Sequence, residues 1–238
     1  MKTRSRRFLA LLVAIVLILT AAPLAMPASA AAVNGTCGDG NALTWTLDTD
    51  SGTLTIAGTG VMTSWAAQAS PFYPYRDAIT AVTIGEGIIN IGNYAFYGLA
   101  RLASVTLPSS LTGIGGSAFR GCTAVGVVTL PDKLQSIGTN AFNGCTTLES
   151  IAMPENTVTL GTGAFKDCTA LAQVTFADSI TSLPDSLLAG CTALTSLTIP
   201  YGVTSVGASA LACCTGITNL SLPQSVATVA AKLHHILP

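Results

Sequence analysis

Residues 119–142 read F-R-G-C-T-A-V-G-V-V-T-L-P-D-K-L-Q-S-I-G-T-N-A-F, and this spacing recurs along most of the chain. Large apolar residues return every 23 positions, at Phe96, Phe119, Phe142, Phe165, Leu188 and Leu211. Cysteines return at the same interval, at Cys122, Cys145, Cys168, Cys191 and Cys214. A fixed period of about 20 to 50 residues is typical of a solenoid, in which each unit buries its apolar face by stacking on its neighbours. We therefore expect both sets to form continuous internal columns.

Each unit begins with an apolar pattern that predicts a short strand. Ile151 and Met153 alternate with small residues, so one face of the strand is expected to be buried. Pro154 then removes a backbone donor and ends the pairing. A glycine such as Gly138 is expected to turn the backbone, and the closing A-F-x-x-C segment predicts a helical turn. The predicted fold is a right-handed superhelix of 23-residue units, with a parallel β-sheet on one face and short helical turns or irregular segments on the other.

Two motifs recur in these units. One is C-T-x-L-x-x-V-x-L-P, present at Cys145–Pro154, and the other is the closing I-G-x-x-A-F-x-x-C. They resemble the BspA-like, or Treponema-type, leucine-rich repeats of secreted and surface proteins of bacteria. The resemblance implies a leucine-rich-repeat solenoid used in surface display, adhesion or protein–protein contact. This chain departs from the pattern at Pro184, which replaces glycine, at Leu188, which replaces phenylalanine, and at His234, which falls on the phenylalanine interval.

The start of the chain predicts export. Residues 1–7 are basic, residues 8–19 form an unbroken apolar run, and Ala28-Ser29-Ala30 has the form of a signal-peptidase site. The run is shorter than the about 20 residues that a membrane-spanning helix needs. We expect a signal peptide over 1–30, cleaved after Ala30, and a secreted or cell-surface protein with no membrane association afterwards; a retained membrane anchor is the alternative. Removing its four basic residues leaves six against eleven acids, a net charge of about −5, which argues against a nucleic-acid partner.

Residues 31–78 are expected to form an N-terminal capping module, followed by the solenoid over 79–238 with an incomplete last repeat. The segments 43–47 and 53–56 alternate apolar and polar residues across a turn-forming stretch, which predicts a β-hairpin. A calcium loop at Asp48-Thr-Asp50 is the alternative for that turn, but the later ligand positions of such a loop are absent. The large aromatic residues of this module are expected to cover the first repeat, with a sugar-binding platform as the alternative.

The sequence predicts no enzyme, no metal site and no cofactor. Its only histidines, His234 and His235, are adjacent near the end of the chain, so they cannot complete a catalytic triad or a zinc motif elsewhere. Equivalent cysteines are expected to lie parallel as buried free thiols, because parallel side chains fit disulfide geometry poorly. A bridge or a metal site is the alternative. Cys213 breaks the interval and is expected at the surface, and Cys37 lies at the opposite end of the solenoid.

The candidate functional residues lie on the outward side of the predicted sheet. A protein partner, or a glycan, is expected to bind there. The alternative is a structural spacer without its own ligand site, which self-associates through the C-terminal end because the last repeat stops at Leu237-Pro238 without a polar cap. The predicted binding residues are Thr83, Ser104, Thr106, Val127, Thr129, Ser150, Gln173, Thr175, Ser196, Thr198, Asn219 and Ser221.

Overall fold

The computed structural model describes residues 32–218 and 220–230. The expected signal peptide, Asn219 and the final residues with His234 therefore lie outside the described part of the chain. In chain order, the strands are β1 (Val33–Thr36), β2 (Leu43–Asp48), β3 (Thr53–Gly58), β4 (Gly60–Val61), β5 (Ala81–Ile84), β6 (Ile88–Ile91), β7 (Ser104–Thr106), β8 (Gly113–Ile114), β9 (Ser136–Ile137), β10 (Ser150–Ala152), β11 (Thr159–Leu160), β12 (Gln173–Thr175), β13 (Ser182–Leu183), β14 (Ser205–Val206) and β15 (Thr228–Val229).

The predicted solenoid of parallel strands is confirmed. Equivalent strands of successive coils pair in parallel register, as where Ala81 pairs with Ser104 and Ser150 pairs with Gln173. The predicted hairpin is also present, since β2 and β3 pair antiparallel from Leu43 opposite Gly58 to Asp48 opposite Thr53. Strand β3 then pairs in parallel with β5, so the first sheet has the order β1-β2-β3-β5-β7. The parallel stacking thus begins at β3, inside the segment expected to be a separate cap.

A second parallel sheet follows the corner of each coil. Its strands pair in the order β11-β9-β8-β6-β4, and β13, β14 and β15 form a further group toward the end of the described chain. The sequence indicates only a second apolar pair in these positions, such as Leu134 and Ile137. Leu134 and Ile137 are buried, which explains the apolar pair, while the backbone of Ser136–Ile137 pairs with the coils on both sides. A coil such as the one with Ser150–Ala152 and Thr159–Leu160 therefore has two strands, not one.

The third side of each coil consists of tight turns, and the prediction of a helical turn there is wrong. The Phe119 N–H donates to the carbonyl of Ala141 in the next coil (2.8 Å), and the Phe142 N–H donates to Ala164 in the same way (2.8 Å). An α-helix would need these amides for bonds four residues back along the chain. Within the described residues, the helical elements are two 3-10 turns at Asp39–Asn41 and Tyr73–Tyr75, both before the first complete repeat.

These turns need backbone with positive φ at two equivalent sites in each coil. The first site has φ between 54° and 62°, at Tyr94, Ser117, Asn140, Gly163, Ser186 and Ser209. The second has φ between 58° and 82°, at Gly98, Gly121, Gly144, Asp167, Gly190 and Cys213. Cys213 thus occupies a site that glycine fills most often, because glycine adopts positive φ without a steric penalty.

Gly138 and its equivalents have a different role from the one expected. Gly138 does not have positive φ within the described turns. A Cβ atom at this position would lie 2.6 Å from the Gly116 nitrogen of the neighbouring coil. The glycine therefore permits the close approach of two backbones, which is what the interval between stacked coils requires.

The phenylalanine side chains form a continuous stack inside the solenoid. Phe96, Phe119, Phe142 and Phe165 are fully buried, and consecutive rings lie 5.2 to 5.5 Å apart between centroids, tilted by 25° or less. Leu188 and Leu211 are also fully buried. Sequence reasoning missed the first ring of the stack. Phe72 lies 5.5 Å from Phe96, although it is 24 residues before it and so falls one position off the interval.

The aromatic residues of the N-terminal module cover this stack. The Trp45 and Trp65 rings contact Phe72 edge-on, at centroid distances of 5.6 and 5.8 Å. Trp45 is 5% exposed and Phe72 is fully buried. Trp45 and Phe72 therefore cover the end of the stack as expected of a cap, and neither ring is open to a sugar. The stretch around Pro71 and Pro74 contains turns and a 3-10 helix.

Candidate functional site

The outward residues of the first sheet and of the segments that continue it form the candidate site, here called the sheet face. Of the predicted binding residues, Ser150 is half-buried, and Asn219 lies outside the described residues. The remaining ten are exposed: Thr83, Ser104, Thr106, Val127, Thr129, Gln173, Thr175, Ser196, Thr198 and Ser221.

Strand register arranges the start of this face in columns. Thr55 pairs with Thr83, which pairs with Thr106, and all three hydroxyl side chains are exposed. A second column follows Thr53, Ala81 and Ser104. Sequence reasoning missed the part contributed by β3. The signal was available, because T-L-T-I in β3 has the same alternation as A-V-T-I in β5.

Backbone pairing along the sheet face is interrupted, contrary to the continuous sheet expected. Strand β7 pairs with β5, and the next copy, residues 127–129, makes only an isolated bridge between Val127 and Ser150. Pairing resumes between β10 and β12 and stops again before Ser196. Gly126 precedes the first interruption, and glycine weakens a strand because it is flexible and has no side chain to pack.

The alternation of buried and exposed side chains continues through these interruptions. Leu197 and Ile199 are buried, while Ser196 and Thr198 are exposed, although no strand is formed there. The burial of the apolar residues therefore depends on coil stacking and not on ladder hydrogen bonds alone. As a result, the face keeps its outward residues where the sheet itself is broken.

A groove of about 300 Å³ crosses the sheet face at the first of these interruptions. It is lined by residues 127–130 and 150–152 together with Gln173 and Thr175. Val127 stands in the same column as Ser104 and Ser150, yet it is 60% exposed, so one apolar side chain projects from an otherwise polar array. The core of a protein interface is more apolar than its polar rim, so Val127 and the groove mark the part of the face that best suits an apolar group of a partner.

A larger cleft of about 600 Å³ adjoins this groove at the corner after the first-sheet strands, and we call it the corner cleft. Thr129 and Leu130 line both the groove and the cleft. The cleft also contains Glu86 and Asp132. The Ser109 N–H and hydroxyl donate to the Glu86 carboxylate at 2.9 and 3.0 Å, and these bonds lower the pKa of Glu86. The carboxylate is therefore held in place and ionised at neutral pH.

The repeat geometry agrees with a comparison of the sequence against known families. A model of the BspA type leucine rich repeat region matches residues 69–125 and 117–234, in 6 copies. The chain belongs to this family. No curated protein matches its sequence.

Two solved structures resemble this BspA-type repeat protein over most of its length. A leucine rich repeat protein of T. pallidum shares 25% sequence identity and a TM-score of 0.60, over 77% of this chain and 92% of that one. A leucine-rich repeat protein from Bacteroides ovatus shares 26% identity and a TM-score of 0.66, over 81% of this chain and 55% of that one.

The cysteines of the BspA-type repeats form a column of buried free thiols. Each Sγ donates a hydrogen bond of 3.1 to 3.2 Å to the carbonyl of the residue 26 positions earlier, which is Phe96 in the case of Cys122. Burial raises the pKa of Cys122 to about 12 and that of Cys214 to about 11. These thiols are therefore protonated donors inside the core and not nucleophiles. Cys213 is exposed, whereas Cys37 is buried.

Across residues 32–218 and 220–230, no three or more histidine, cysteine or acidic side chains come together in a way that could hold a metal ion. In that same part of the repeat protein, no helix has the length and apolar character needed to cross a membrane.

Proposed function

We propose that this protein is a secreted or cell-surface interaction protein that binds a protein partner, as an adhesin does, through the sheet face. The observation that carries the proposal is the exposed apolar Val127 beside a groove, in a field of exposed hydroxyl side chains. The BspA-type repeat family supports an interaction scaffold at the coarser level. The basic and apolar start of the sequence supports export.

The physical argument concerns how a rigid repeat scaffold binds. Stacked coils hold the outward side chains at fixed positions, so little conformational entropy is lost on binding. Exposed threonine and serine side chains are short, and their hydroxyls both donate and accept hydrogen bonds. A partner that places an apolar side chain against Val127 would exclude water from the groove and gain hydrogen bonds around it.

The test is a binding screen of the chain without residues 1–30 against purified extracellular-matrix proteins and glycans. The variants Thr129→Lys, Thr175→Lys and Thr198→Lys each place a long cation on the sheet face. The matched control is Thr181→Lys, which adds the same side chain beside the second sheet, where Thr181 is also exposed. We expect a protein ligand whose affinity falls at least tenfold in the face variants and stays within twofold in the control.

Equal binding by the wild type and all three face variants would reject the sheet face as the interaction surface. Binding of a glycan together with binding of none of the proteins would reject the choice of a protein partner. Residues 231–238, on which the expectation of self-association rests, lie outside the described residues.

A further inference from the structure

The corner cleft combines an apolar floor with a charged rim. Its floor is formed by Val105 and Leu107 of one coil and by Leu130 and Pro131 of the next. Val105 and Leu107 are only half-buried, so part of their surface faces the cleft. Its rim carries two carboxylates, Glu86 and Asp132, and one ammonium group, that of Lys133. A ligand must therefore offer an apolar surface to the floor and a positive charge to the rim.

The two carboxylates occupy equivalent corners of the repeat. Glu86, Ser109 and Asp132 are 23 residues apart in succession, so Glu86 and Asp132 are separated by two coils. At about 4.8 Å between neighbouring strands, this places them about 10 Å apart, on either side of Ser109. The Ser109 bonds leave the Glu86 carboxylate fixed in position, and an oxygen atom with two lone pairs can accept further hydrogen bonds.

Charge complementarity selects the occupant. The chain after residue 30 has an excess of acids, so a basic partner is attracted to it over a distance. An arginine side chain combines an aliphatic stem, which suits the apolar floor, with a planar cation that donates several hydrogen bonds to carboxylates. Lysine has a similar stem but donates from a single point.

We propose that the corner cleft is a subsite for an arginine side chain of the protein partner, with the stem packed on Leu107 and Leu130 and the guanidinium group held between Glu86 and Asp132. This inference rests on the proposed function, because it supplies the chemistry of one partner residue. It extends the contact surface from the sheet face to the neighbouring corner, through Thr129, which lines both.

The test uses the synthetic peptide Ac-Gly-Val-Arg-Val-Gly-NH2 and the same peptide with glutamine in place of arginine. Each is titrated into the isotope-labelled chain that lacks residues 1–30, and NMR chemical shifts of backbone amides and methyl groups are followed. We expect the arginine peptide to shift the signals of Val105, Leu107 and Leu130, and its affinity to weaken as salt is raised. The glutamine peptide is expected to bind at least tenfold more weakly.

Variants without the two carboxylates test whether the rim of the cleft binds the arginine peptide. The double variant Glu86→Gln, Asp132→Asn should weaken binding of the arginine peptide at least tenfold. Its matched control is Asp178→Asn, which neutralises an exposed acid two coils beyond Asp132 that does not line the cleft. Equal binding of the two peptides, an equal effect of the control, or shifts confined to residues outside the cleft would overturn the proposal.

The peptide titration tests the arginine subsite and the partner screen tests the sheet face, so either proposal can be rejected without the other. Loss of partner binding in the Thr175→Lys variant, together with an arginine peptide that does not bind, would retain the sheet face and reject the arginine subsite. Peptide binding at the cleft, together with full partner binding by all three lysine variants, would retain the subsite and reject the sheet face.

Discussion

Replacing Phe142 with alanine removes the ring from the middle of the internal stack and tests whether coil stacking holds this protein together. The Phe142 side chain is fully buried, with Phe119 at 5.2 Å on one side and Phe165 at 5.5 Å on the other. Truncating a buried phenylalanine to alanine costs about 3–5 kcal/mol, from lost transfer free energy and from the cavity left behind. The two ring contacts account for about 0.5–1.5 kcal/mol each.

Leucine at the same position provides the matched control. Leu188 and Leu211 occupy the equivalent sites of later coils and are fully buried, so the fold accommodates leucine there. The Phe142→Leu variant keeps most of the buried apolar volume but loses both ring contacts, so it should lose about 1–3 kcal/mol. A loss of 1 kcal/mol lowers the melting temperature of a domain of this size by about 2–4 °C, so Phe142→Ala should melt roughly 6–20 °C below the wild type.

The measurement is thermal and urea unfolding of the chain without residues 1–30, followed by circular dichroism. The free energy of unfolding of the alanine variant should fall by about 2 kcal/mol more than that of the leucine variant. If both substitutions had the same small effect, the phenylalanine stack would not be a main source of stability, and the account of the core given above would be refuted.

Two other predictions concern the cysteines. Cys213→Gly should raise the melting temperature by a few degrees, because Cys213 has a positive φ of 60° and this conformation costs a residue with a Cβ atom up to about 1–2 kcal/mol. The melting temperature is measured by differential scanning fluorimetry. An unchanged or lowered melting temperature would contradict the prediction. The contribution of the buried thiols to stability should be constant well below pH 9 and be lost above it, since burial raises the folded-state pKa of Cys122 from 9.0 to about 12 and the unfolded chain then loses its thiol proton first. The free energy of unfolding should fall by at most about 1.4 kcal/mol per pH unit for each buried thiol. Equal midpoints of urea unfolding at pH 8 and pH 10.5 would contradict this prediction.

Local sequence signals predicted the repeat but not the full path of the coil. The pattern Ile151-x-Met153 revealed the first strand, because period-two burial is visible in the sequence itself. The second strand, such as Ser136–Ile137, is only two residues long, which is too short to produce a recognisable period. The turn around Phe142 resembles a helical pattern, yet its N–H donates to Ala164 in the next coil. Such a choice between partners depends on the neighbour and not on the local sequence.

In the candidate site too, some features could be predicted from the local sequence and others depend on neighbouring coils. Outward positions such as Thr83 and Thr106 follow directly from the alternation, and they are exposed. The interruption at Val127, the groove beside it and the corner cleft were not predicted, because each depends on how two coils fit together. Phe72 was missed for a related reason, since it enters the stack one position off the 23-residue interval.

The 23-residue period is enough to show that equivalent residues of successive coils lie above one another, because a unit of this length can bury its apolar residues only against a neighbour of the same kind. The three-dimensional fold sets which amides pair between coils, where the sheet breaks and which side chains line the corner cleft. The physical reason is that these features depend on distances of a few ångströms between coils, and such distances are set by close approaches like that of Gly138 to Gly116.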